Sequence, residues 1–425
     1  MSVVRRLSSK ASSIYNIPRA PPDRILGLTE RFNSDQNPLK VNLTVGIYKD
    51  ENGQVTTLPS VARAQTVLDQ HEELNTDLSY LPISGSADFQ SNVLQFLFRE
   101  SAPQGAQYLD EDRISFIQTL SGTGALAVAS KLLSLFVTKT AWVPDPSWAN
   151  HCNVLQNNGF KDIRPYPYLK NGSLNVEQWL QELQNAPVAS SQSNPQCIIL
   201  HACCHNPSGI DPSSEQWTEI LDTIHDLNLI PIIDMAYQGM DTGDLYKDAY
   251  LLRMSLDSQR YCWPNGLFLC QSFAKNMGLY GERVGSLSVV TPPDMTLKPN
   301  IDSQLKKIVR GFYSSPPGYG SRVANVVLST SELKTQWFED VKKMHSRLQS
   351  VRTKMAERLN WNCFSEINGQ HGMFLYTGLS PSQVGILREN HSVYLNSDGR
   401  LSLSGLNSSN IDYVCDCMQK VTDGA

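Results

Sequence analysis

Between residues 115 and 290, short runs of apolar and β-branched residues alternate with stretches of helical periodicity. This alternation is typical of βαβ units, which build a mostly parallel sheet with helices on its faces. In such a sheet, the loops that carry functional residues follow the carboxyl ends of the strands. The predicted strands cover residues 114–118, 141–144, 197–201, 230–234, 267–271 and 286–290.

The pattern changes beyond residue 323, where a long amphipathic stretch at 333–359 presents a polar face rich in lysine and arginine. Shorter elements follow it, and they suggest a separate, smaller α+β domain. The predicted elements are strands at 373–376, 393–395 and 400–403 and a last helix at 411–421.

We therefore expect an α/β protein of two domains. The predicted large domain covers residues 57–339. The smaller domain is predicted to combine an N-terminal arm at 20–56 with residues 340–425. The polar patch at 189–194 is predicted to be a surface loop.

Composition narrows the class of protein. The chain has 425 residues, of which 40% are hydrophobic and 18% charged, as in a globular protein with a core large enough for two domains. Its 36 basic and 41 acidic residues give a formal net charge of -5, which disfavours nucleic acid as a partner. Nine cysteines without regular spacing favour a reducing compartment. Apolar runs such as 229–233 are far shorter than the roughly 18 residues of a membrane span.

The N-terminus is basic and rich in serine, and it has no acidic residue before Asp23. Val3, Leu7, Ala11 and Ile14 lie on one helical stripe. These features fit a mitochondrial transit peptide at residues 1–19, ending near Pro18, and they fit an ordinary disordered basic N-terminus equally well.

Ser121, Gly122, Thr123 and Gly124 stand between a predicted strand and the helical run at 125–136. Free amide groups at a helix start bind phosphate, glycine lets the backbone approach, and hydroxyl groups add hydrogen bonds. A tight turn with a serine N-cap is the alternative. The segment matches neither the dinucleotide-binding pattern nor the lysine-containing P-loop.

Asp234 ends an apolar predicted strand, and Tyr237 follows three residues later. A carboxylate in so apolar a run needs a partner, and the protonated nitrogen of a pyridine ring is a partner that keeps the ring an electron sink. Tyr237 and Asn206 are candidates for a hydrogen bond to the phenolate oxygen of such a ring. The alternative for Asp234 is a helix N-cap.

Lys275 follows another buried strand and lies between Ser272 and Arg283. Apolar, cation-flanked surroundings lower the pKa of a lysine amine, as a nucleophile that attacks an aldehyde requires. Ser272 and Arg283 suit a phosphate dianion. A surface lysine whose alkyl stem covers apolar residues is the alternative.

Arg310 and Arg400 are candidates for substrate binding. Forked guanidinium groups suit bidentate carboxylate binding, and two of them suit a substrate with two carboxylates. Structural salt bridges are the alternative for both.

Zinc-type residues cluster at His201, Cys203, Cys204 and His205. Adjacent strand residues point to opposite faces, and no second ligand pair lies at zinc-site spacing. We expect a structural role at a strand end and no metal.

Taken together, several segments resemble the aspartate aminotransferases, fold-type I enzymes that use pyridoxal 5'-phosphate. The resemblance runs from position 21 to the last helix and is carried by SGTGAL, DPSWANH, HACCHNPSG, IIDMAYQG, QSFAKNMGLYGERVG and RLSLSG. IDMAYQG and SFAKNMGLYGERVG are most similar to mitochondrial members, and PRAPPD and VNLTVGIYKD to fungal ones.

The resemblance implies a large domain with a mostly parallel seven-stranded sheet, and a homodimer with shared active sites. It implies reversible, ping-pong transfer of an amino group from L-aspartate to 2-oxoglutarate, giving oxaloacetate and L-glutamate. The implied location is the mitochondrial matrix, with the cytoplasm as the alternative.

The resemblance also implies roles for single residues. Lys275 would carry the cofactor and move the proton between the substrate α-carbon and the cofactor. Asp234, supported by His151, would keep the ring nitrogen protonated. Arg400 with Asn206 would hold the α-carboxylate, and Arg310 of the partner subunit the side-chain carboxylate. The other implied site residues are Trp148 stacked on the ring, Tyr237 and Asn206 at the phenolate oxygen, Ser121, Gly122, Thr123, Ser272, Arg283 and Tyr80 of the partner subunit at the phosphate, and Gly46 and Phe374 around the substrate.

Thr44, Ala149 and Ser315 depart from the residues common in animal members, and none of them is an expected catalytic group. An aminotransferase for aromatic substrates is an alternative, since such enzymes can keep Arg310. A catalytically inactive relative would be expected to lack Lys275, Asp234 or Arg400, and all three are present. A nucleotide-dependent dehydrogenase would need a glycine fingerprint that SGTGAL does not supply.

Overall fold

The computed structural model describes residues 17–20, 26–71, 78–185, 195–294, 296–359 and 367–423. Nearly all of the predicted transit peptide at 1–19 and the whole polar patch at 189–194 lie outside the described residues.

The strands are, in chain order, β1 (Val41–Asn42), β2 (Ile114–Leu120), β3 (Thr140–Asp145), β4 (Asp162–Pro167), β5 (Leu169–Lys170), β6 (Ser173–Leu174), β7 (Cys197–His201), β8 (Ile230–Met235), β9 (Leu267–Ser272), β10 (Val284–Val290), β11 (Phe374–Tyr376), β12 (Val393–Tyr394) and β13 (Arg400–Ser402). The α-helices are α1 (Leu26–Ser34), α2 (Pro59–Gln70), α3 (Ala87–Gln95), α4 (Ala106–Asp110), α5 (Ser121–Phe136), α6 (Asn150–Asn157), α7 (Val176–Asn185), α8 (Ser214–Asp226), α9 (Tyr250–Ser255), α10 (Leu297–Phe312), α11 (Tyr319–Ser329), α12 (Ser331–Arg358), α13 (Pro381–His391) and α14 (Ile411–Asp423).

Seven of these strands form the main sheet of the described chain, in the order β2-β10-β9-β8-β7-β3-β4. Strand β10 runs antiparallel to β2 and β9, and the other neighbours are parallel. The expected mostly parallel seven-stranded sheet is confirmed.

All six strands predicted from the pattern of residues 115–290 form, most of them one or two residues longer than expected. Strand β4 was not predicted. It contains Pro165 and Pro167, which cannot donate to a ladder, and it lies at the sheet edge, where it pairs with β3. Proline is tolerated at such an edge, but its low strand propensity explains why β4 was not predicted.

Both faces of the sheet are buried. Successive strand residues point to opposite faces, so Ile198 and Ile233 join one apolar cluster while Ile199 and Ile232 join another. Strands covered on both faces are apolar almost throughout. This explains why the pattern alone revealed these strands.

Local sequence features explain the formation of the helices that cover the sheet. In α7, Val176, Trp179, Leu180 and Leu183 form one buried stripe at helical spacing. Helix α8 begins with a capping box, in which Ser213 Oγ accepts from the Gln216 amide and the Gln216 side chain accepts from the Ser213 amide.

Smaller sheets pair β1 with β12 in parallel and β11 with β13 antiparallel. The long helix α12 crosses the predicted domain boundary between residues 339 and 340. The division into domains stays a prediction. In the described ranges, no helix combines the length and the apolarity that crossing a bilayer demands.

Candidate active site

A cavity of about 320 Å³ lies where the carboxyl ends of β2, β3, β7, β8 and β9 meet. Parallel strands bring the residues that follow them to one edge, although these residues are far apart in sequence. Because β10 is antiparallel, it begins at that same edge. The predicted site residues that line the cavity are Gly46, Ser121, Gly122, Thr123, Trp148, Asn206, Asp234, Tyr237, Ser272, Lys275, Arg283, Phe374 and Arg400.

Asp234 is held by a histidine and not by a helix cap. His151 Nε2 lies 3.0 Å from Asp234 Oδ2, and Ser147 Oγ lies 2.9 Å from His151 Nδ1. The other oxygen, Asp234 Oδ1, is buried and has no hydrogen-bond partner among the described residues. No helix begins at Asp234 in this part of the described chain, so the N-cap alternative was wrong.

The carboxyl of Asp234 stays ionised despite its burial. Burial by itself raises the pKa of this group, but the hydrogen bond and the charge interaction with His151 hold the pKa below its ordinary value. An ionised carboxylate with one free buried oxygen suits a protonated ring nitrogen.

Helix α5 begins at Ser121, four residues earlier than expected, so Ser121, Gly122 and Thr123 form its first turn. The amide groups of a first helical turn have no partner within the helix and can bind an anion. The Ser121 hydroxyl does not cap the helix. It lies 2.7 Å from Ser272 Oγ at the end of β9. Arg283 enters the same corner, because it directly precedes β10.

Close backbone contacts hold this corner together. A Cβ atom on Gly285 would clash with the Gln271 carbonyl oxygen and would lie 2.8 Å from the Ser121 backbone. Glycine therefore allows β9, β10 and the start of α5 to meet. Ser121 itself has a φ of 59°, an unusual value for a residue with a side chain.

Lys275 follows β9 and points its amine into the cavity. Its Nζ atom lies 4.8 Å from the ring centroid of Tyr237. Burial lowers the pKa of the amine to about 8, Asp234 opposes this shift, and Arg283 and Arg400 add to it. The amine therefore has a substantial uncharged fraction near neutral pH, as a nucleophile or a proton acceptor requires. The surface-lysine alternative was wrong.

Arg400 is almost fully buried, and its partners are neutral oxygens. Its Nη1 atom donates to Asn206 Oδ1 at 2.8 Å, and Nη2 donates to the Thr44 carbonyl at 3.0 Å. With the Asn396 amide oxygen turned toward Arg400, that oxygen accepts from Nη2 at 2.6 Å and from Nε at 2.9 Å. The guanidinium lies 4.2 Å from the ring centroid of Phe374. No salt bridge to the Arg400 side chain is found among the described residues, so the guanidinium is oriented by neutral groups and keeps its charge for a ligand.

Asn206 connects the two halves of the cavity. Besides accepting from Arg400, it donates through Nδ2 to the Tyr237 hydroxyl at 3.3 Å. On the opposite wall, a Cβ atom on Gly46 would lie 2.7 Å from Phe374 Cζ. Glycine at 46 therefore permits the ring of Phe374 to close the wall beside Arg400.

Comparisons with known proteins show the family of the chain. Residues 38–418 match the family of class I and II aminotransferases. The chain belongs to that family. It is 59% identical to the mitochondrial aspartate aminotransferase of Saccharomyces cerevisiae, over 97% of this chain and 95% of the relative.

Solved structures of other aminotransferases are also similar to the chain. The aspartate aminotransferase from Saccharomyces cerevisiae cytoplasm is 39% identical with a TM-score of 0.89, over 96% of this chain and 98% of that one. An aromatic-amino-acid aminotransferase from Burkholderia pseudomallei, covalently bound to pyridoxal phosphate, is 34% identical with a TM-score of 0.86, over 96% and 100% of the two chains.

Two expected site residues of this aminotransferase do not line the cavity of the single chain. Arg310 lies at the end of α10, is exposed, and donates to the Ser314 hydroxyl. Tyr80 is 91% exposed. An exposed tyrosine and an exposed arginine are available to a second copy of the chain, but the structure does not bring either of them to the site.

The residues that depart from the animal pattern leave the aminotransferase site intact. The Thr44 side chain donates to Asn42 Oδ1, and Thr44 meets Arg400 only through its backbone carbonyl. Ala149 lines a neighbouring cavity of about 240 Å³ that lies between Trp148 and Arg400. Ser315 does not line the main cavity in the described chain.

The segment from His201 to His205, for which a structural role was expected, adjoins Asp234, and His201 itself lines the main cavity. The ring of His201 lies 5.1 Å from that of His151, and the ring of His205 lies 4.5 Å from His201. Burial lowers the pKa of His201 to about 3 and that of His205 well below its ordinary value, so both rings are uncharged.

Sequence reasoning missed several contributors to the aminotransferase site. The Thr44 carbonyl, Asn396 and Tyr280 were not predicted, although the first two hold Arg400 and Tyr280 lines the cavity. The role of a backbone carbonyl group cannot be inferred from the type of residue. Asn396 lies in a polar turn directly before Arg400, where asparagine is common for reasons of turn geometry.

Proposed function

We propose that this chain is an aspartate aminotransferase that binds pyridoxal 5'-phosphate and transfers an amino group between L-aspartate and 2-oxoglutarate. One observation carries the proposal. The Lys275 amine, the free oxygen of Asp234 and the Arg400 guanidinium line the same cavity.

The cavity fits the cofactor at both ends. Asp234 Oδ1 is a buried acceptor without a partner among the described residues, as a protonated pyridine nitrogen requires. At the other end, the first turn of α5, the paired hydroxyls of Ser121 and Ser272, and Arg283 suit a phosphate dianion. Trp148 lines the wall between these ends and supplies an aromatic face for the ring.

Each residue of the site has its own role in the transfer of the amino group. When bound, the cofactor withdraws electrons from the substrate α-carbon. Asp234 stays ionised and holds the ring-nitrogen proton in place. Asn206 and Tyr237 donate toward the phenolate oxygen. Lys275 Nζ accepts the proton from the substrate α-carbon, since its lowered pKa leaves part of the amine uncharged.

Arg400 binds the α-carboxylate of the substrate. Its orientation is set by Asn206, Asn396 and the Thr44 carbonyl, which accept hydrogen bonds without neutralising its charge. Gly46 and Phe374 shape the wall next to it. A bidentate arginine–carboxylate pair in this position orients the α-carbon toward Lys275.

The second carboxylate is bound by Arg310 of the partner subunit, and Tyr80 of the partner subunit contacts the phosphate. The exposure of both residues in the single chain supports this assignment. The active unit is therefore a symmetric homodimer with shared sites. Residues 57–339 form the large domain, and residues 20–56 and 340–425 form the small one.

The chain is a mitochondrial form. Its identity to the mitochondrial relative from Saccharomyces cerevisiae is 59%, against 39% for the cytoplasmic structure from the same organism. The basic segment at 1–19 acts as the transit peptide, and the enzyme works in the mitochondrial matrix.

Absorption spectroscopy and turnover test the proposal. The purified protein incubated with pyridoxal 5'-phosphate should show a visible band of bound cofactor and should form oxaloacetate from aspartate and 2-oxoglutarate, with the parallel double-reciprocal lines of a ping-pong reaction. Lys275→Ala should lose the covalently bound cofactor and the turnover. A protein that binds no chromophore after this incubation would overturn the proposal.

Relative turnover separates aspartate from aromatic substrates. Because two arginines are assigned to two carboxylates, kcat/KM should be higher for aspartate than for phenylalanine. A preference for phenylalanine would favour an aromatic aminotransferase instead.

A further inference from the structure

The turn that carries Asn206 is held by a carboxylate outside the cavity. Asp211 Oδ2 accepts from the Cys204 amide at 2.6 Å, and Oδ1 accepts from the His205 amide at 2.9 Å. Both oxygens of one side chain are thus used by the two backbone amides that directly precede Asn206. Asp211 itself does not line the cavity of the described chain.

These two hydrogen bonds support an unusual backbone conformation. Cys204 has a φ of 53°, in the left-handed region that residues with a Cβ atom rarely adopt. Such a conformation persists only where surrounding contacts stabilise it. The carboxylate of Asp211 provides that stabilisation, and the direction in which the chain enters Asn206 depends on it.

Other contacts hold the rest of the turn in place. The His205 ring stacks on Tyr168 at 3.7 Å, and its Nδ1 atom lies 2.7 Å from Ser208 Oγ. The His371 amide donates to the Gly209 carbonyl at 2.5 Å, which ties the turn to the segment before β11. Among the residues that the structure describes, Asp211 alone contributes a charged group to the backbone directly before Asn206.

Asn206 has little freedom to compensate for a displaced backbone. Its Oδ1 atom accepts from Arg400 Nη1 at 2.8 Å, and its Nδ2 atom donates to the Tyr237 hydroxyl. A shift of a few tenths of an ångström in the turn would therefore lengthen the bond to Arg400 or the bond to Tyr237. The guanidinium would then lose part of its orientation toward a carboxylate.

We propose that Asp211 is a positioning residue for carboxylate binding, which acts through Asn206 on Arg400. This inference rests on the proposed function, because it assigns Arg400 to the substrate carboxylate. Asp211 does not line the cavity, so its role is positioning and not catalytic.

Substitution Asp211→Asn tests the proposal with little change in volume. An asparagine keeps one acceptor oxygen but places an amide donor opposite a backbone amide donor, so one hydrogen bond is lost and two donors face each other. Partial burial and the neighbouring Asp241 raise the pKa of Asp211 to about 6, so the native carboxylate is ionised at pH 8, where binding should be measured.

Succinate is the probe, since it has two carboxylates and no amino group to react. Calorimetric titration of the cofactor-loaded protein should show about 10-fold weaker succinate binding for Asp211→Asn than for the natural chain. KM for aspartate should rise by a similar factor, with a smaller change in kcat. Asp211→Glu, which restores the charge, should recover part of the affinity. Asp226→Asn, at an aspartate whose side chain is 82% exposed, is the control and should bind succinate normally.

A double-mutant cycle with Asn206→Ala distinguishes positioning from a general structural role. If Asp211 acts through Asn206, Asp211→Asn should weaken succinate binding by less than about 2-fold in the Asn206→Ala background. Equal effects in both backgrounds would overturn the proposal, and so would an unchanged succinate affinity with a lowered melting temperature. Should Asp211→Asn fail to fold, Asp211→Glu in the same cycle decides the question by the same criterion.

Failure of the proposed function and failure of the role of Asp211 give different experimental results. If the natural chain binds no succinate, the proposed function is wrong. If the natural chain binds succinate and the cycle is additive, the function stands and the role of Asp211 is wrong.

Discussion

His151 Nε2 lies 3.0 Å from one oxygen of Asp234, and the other oxygen has no partner among the described residues. The histidine therefore does two things for the carboxylate. It keeps the group ionised in a buried position, and it leaves one oxygen for a ring nitrogen.

Loss of this histidine should shift the acid limb of activity. Because the pKa of Asp234 is held below its ordinary value in the folded chain, the benefit of ionisation is present at neutral pH and is lost as the pH falls through that lowered pKa. In His151→Ala the carboxyl keeps its burial but loses the hydrogen bond, so its pKa should rise. The acid limb of kcat should therefore move to higher pH. His71→Ala, at an exposed histidine, is the control. An unchanged pH profile in His151→Ala would contradict the assignment.

Lys275 should destabilise the cofactor-free fold at neutral pH. Its pKa is about 8 in the folded chain, below the ordinary 10.5, so folding disfavours the charged amine. This cost is complete below pH 8, declines as the pH rises from 8 to 10.5, and is absent above that range. Lys275→Met should therefore raise the free energy of unfolding of the cofactor-free protein by on the order of 1–3 kcal/mol at pH 7. The gain should vanish near pH 11. Urea unfolding at both pH values measures it, and equal stability of the two proteins at pH 7 would speak against a lowered amine pKa.

Alanine substitutions at Gly122 and Gly285 should have different effects, the first on cofactor binding and the second on the stability of the fold. A Cβ atom on Gly122 would lie 3.4 Å from Ser272 Cβ, an ordinary contact, so Gly122→Ala should fold normally. Its methyl group would lie near Ser272 and 3.8 Å from Asp234 Oδ1 and would reduce the space for the cofactor, so the Kd for pyridoxal 5'-phosphate should rise about 10-fold or more. Gly285→Ala is the matched variant. Its Cβ atom would clash with backbone, and the free energy of unfolding should fall by about 1–3 kcal/mol. Thermal unfolding without cofactor measures the effect on stability, and cofactor titration measures the effect on Kd. A Gly122→Ala protein with natural cofactor affinity would contradict the proposed cofactor site.

Hybrid dimers should reveal whether Arg310 acts across an interface. Lys275→Ala and Arg310→Ala homodimers should each have little activity toward aspartate. After the two are unfolded and refolded together, half of the dimers should be hybrids, and each hybrid should hold one site with both natural residues. About a quarter of the natural kcat should return. If mixing restores nothing while hybrids are detected, Arg310 acts within its own subunit or not at all.

The central sheet was readable from the sequence because its strands are buried on both faces and are apolar almost throughout, as Ile198, Ile199, Ile232 and Ile233 illustrate. The edge strand β4 was not readable, since Pro165 and Pro167 remove the strand signal where pairing occurs on one side. The start of α5 was predicted four residues late, because Ser121-Gly122-Thr123-Gly124 has a low helix propensity and is stabilised by its contacts with Ser272 and β10.

By itself, the sequence determined which chemical groups were available: a lysine and an aspartate after apolar strands, hydroxyls and glycines before a helix, and Arg400 in a late strand. Only the tertiary structure decided their relations. Parallel strands carried Asp234 and Lys275 to one edge, His151 took one carboxylate oxygen and left the other, and Asn206 joined Arg400 to Tyr237. Contacts between residues so distant in the chain arise from strand order and packing, which residue type alone does not encode.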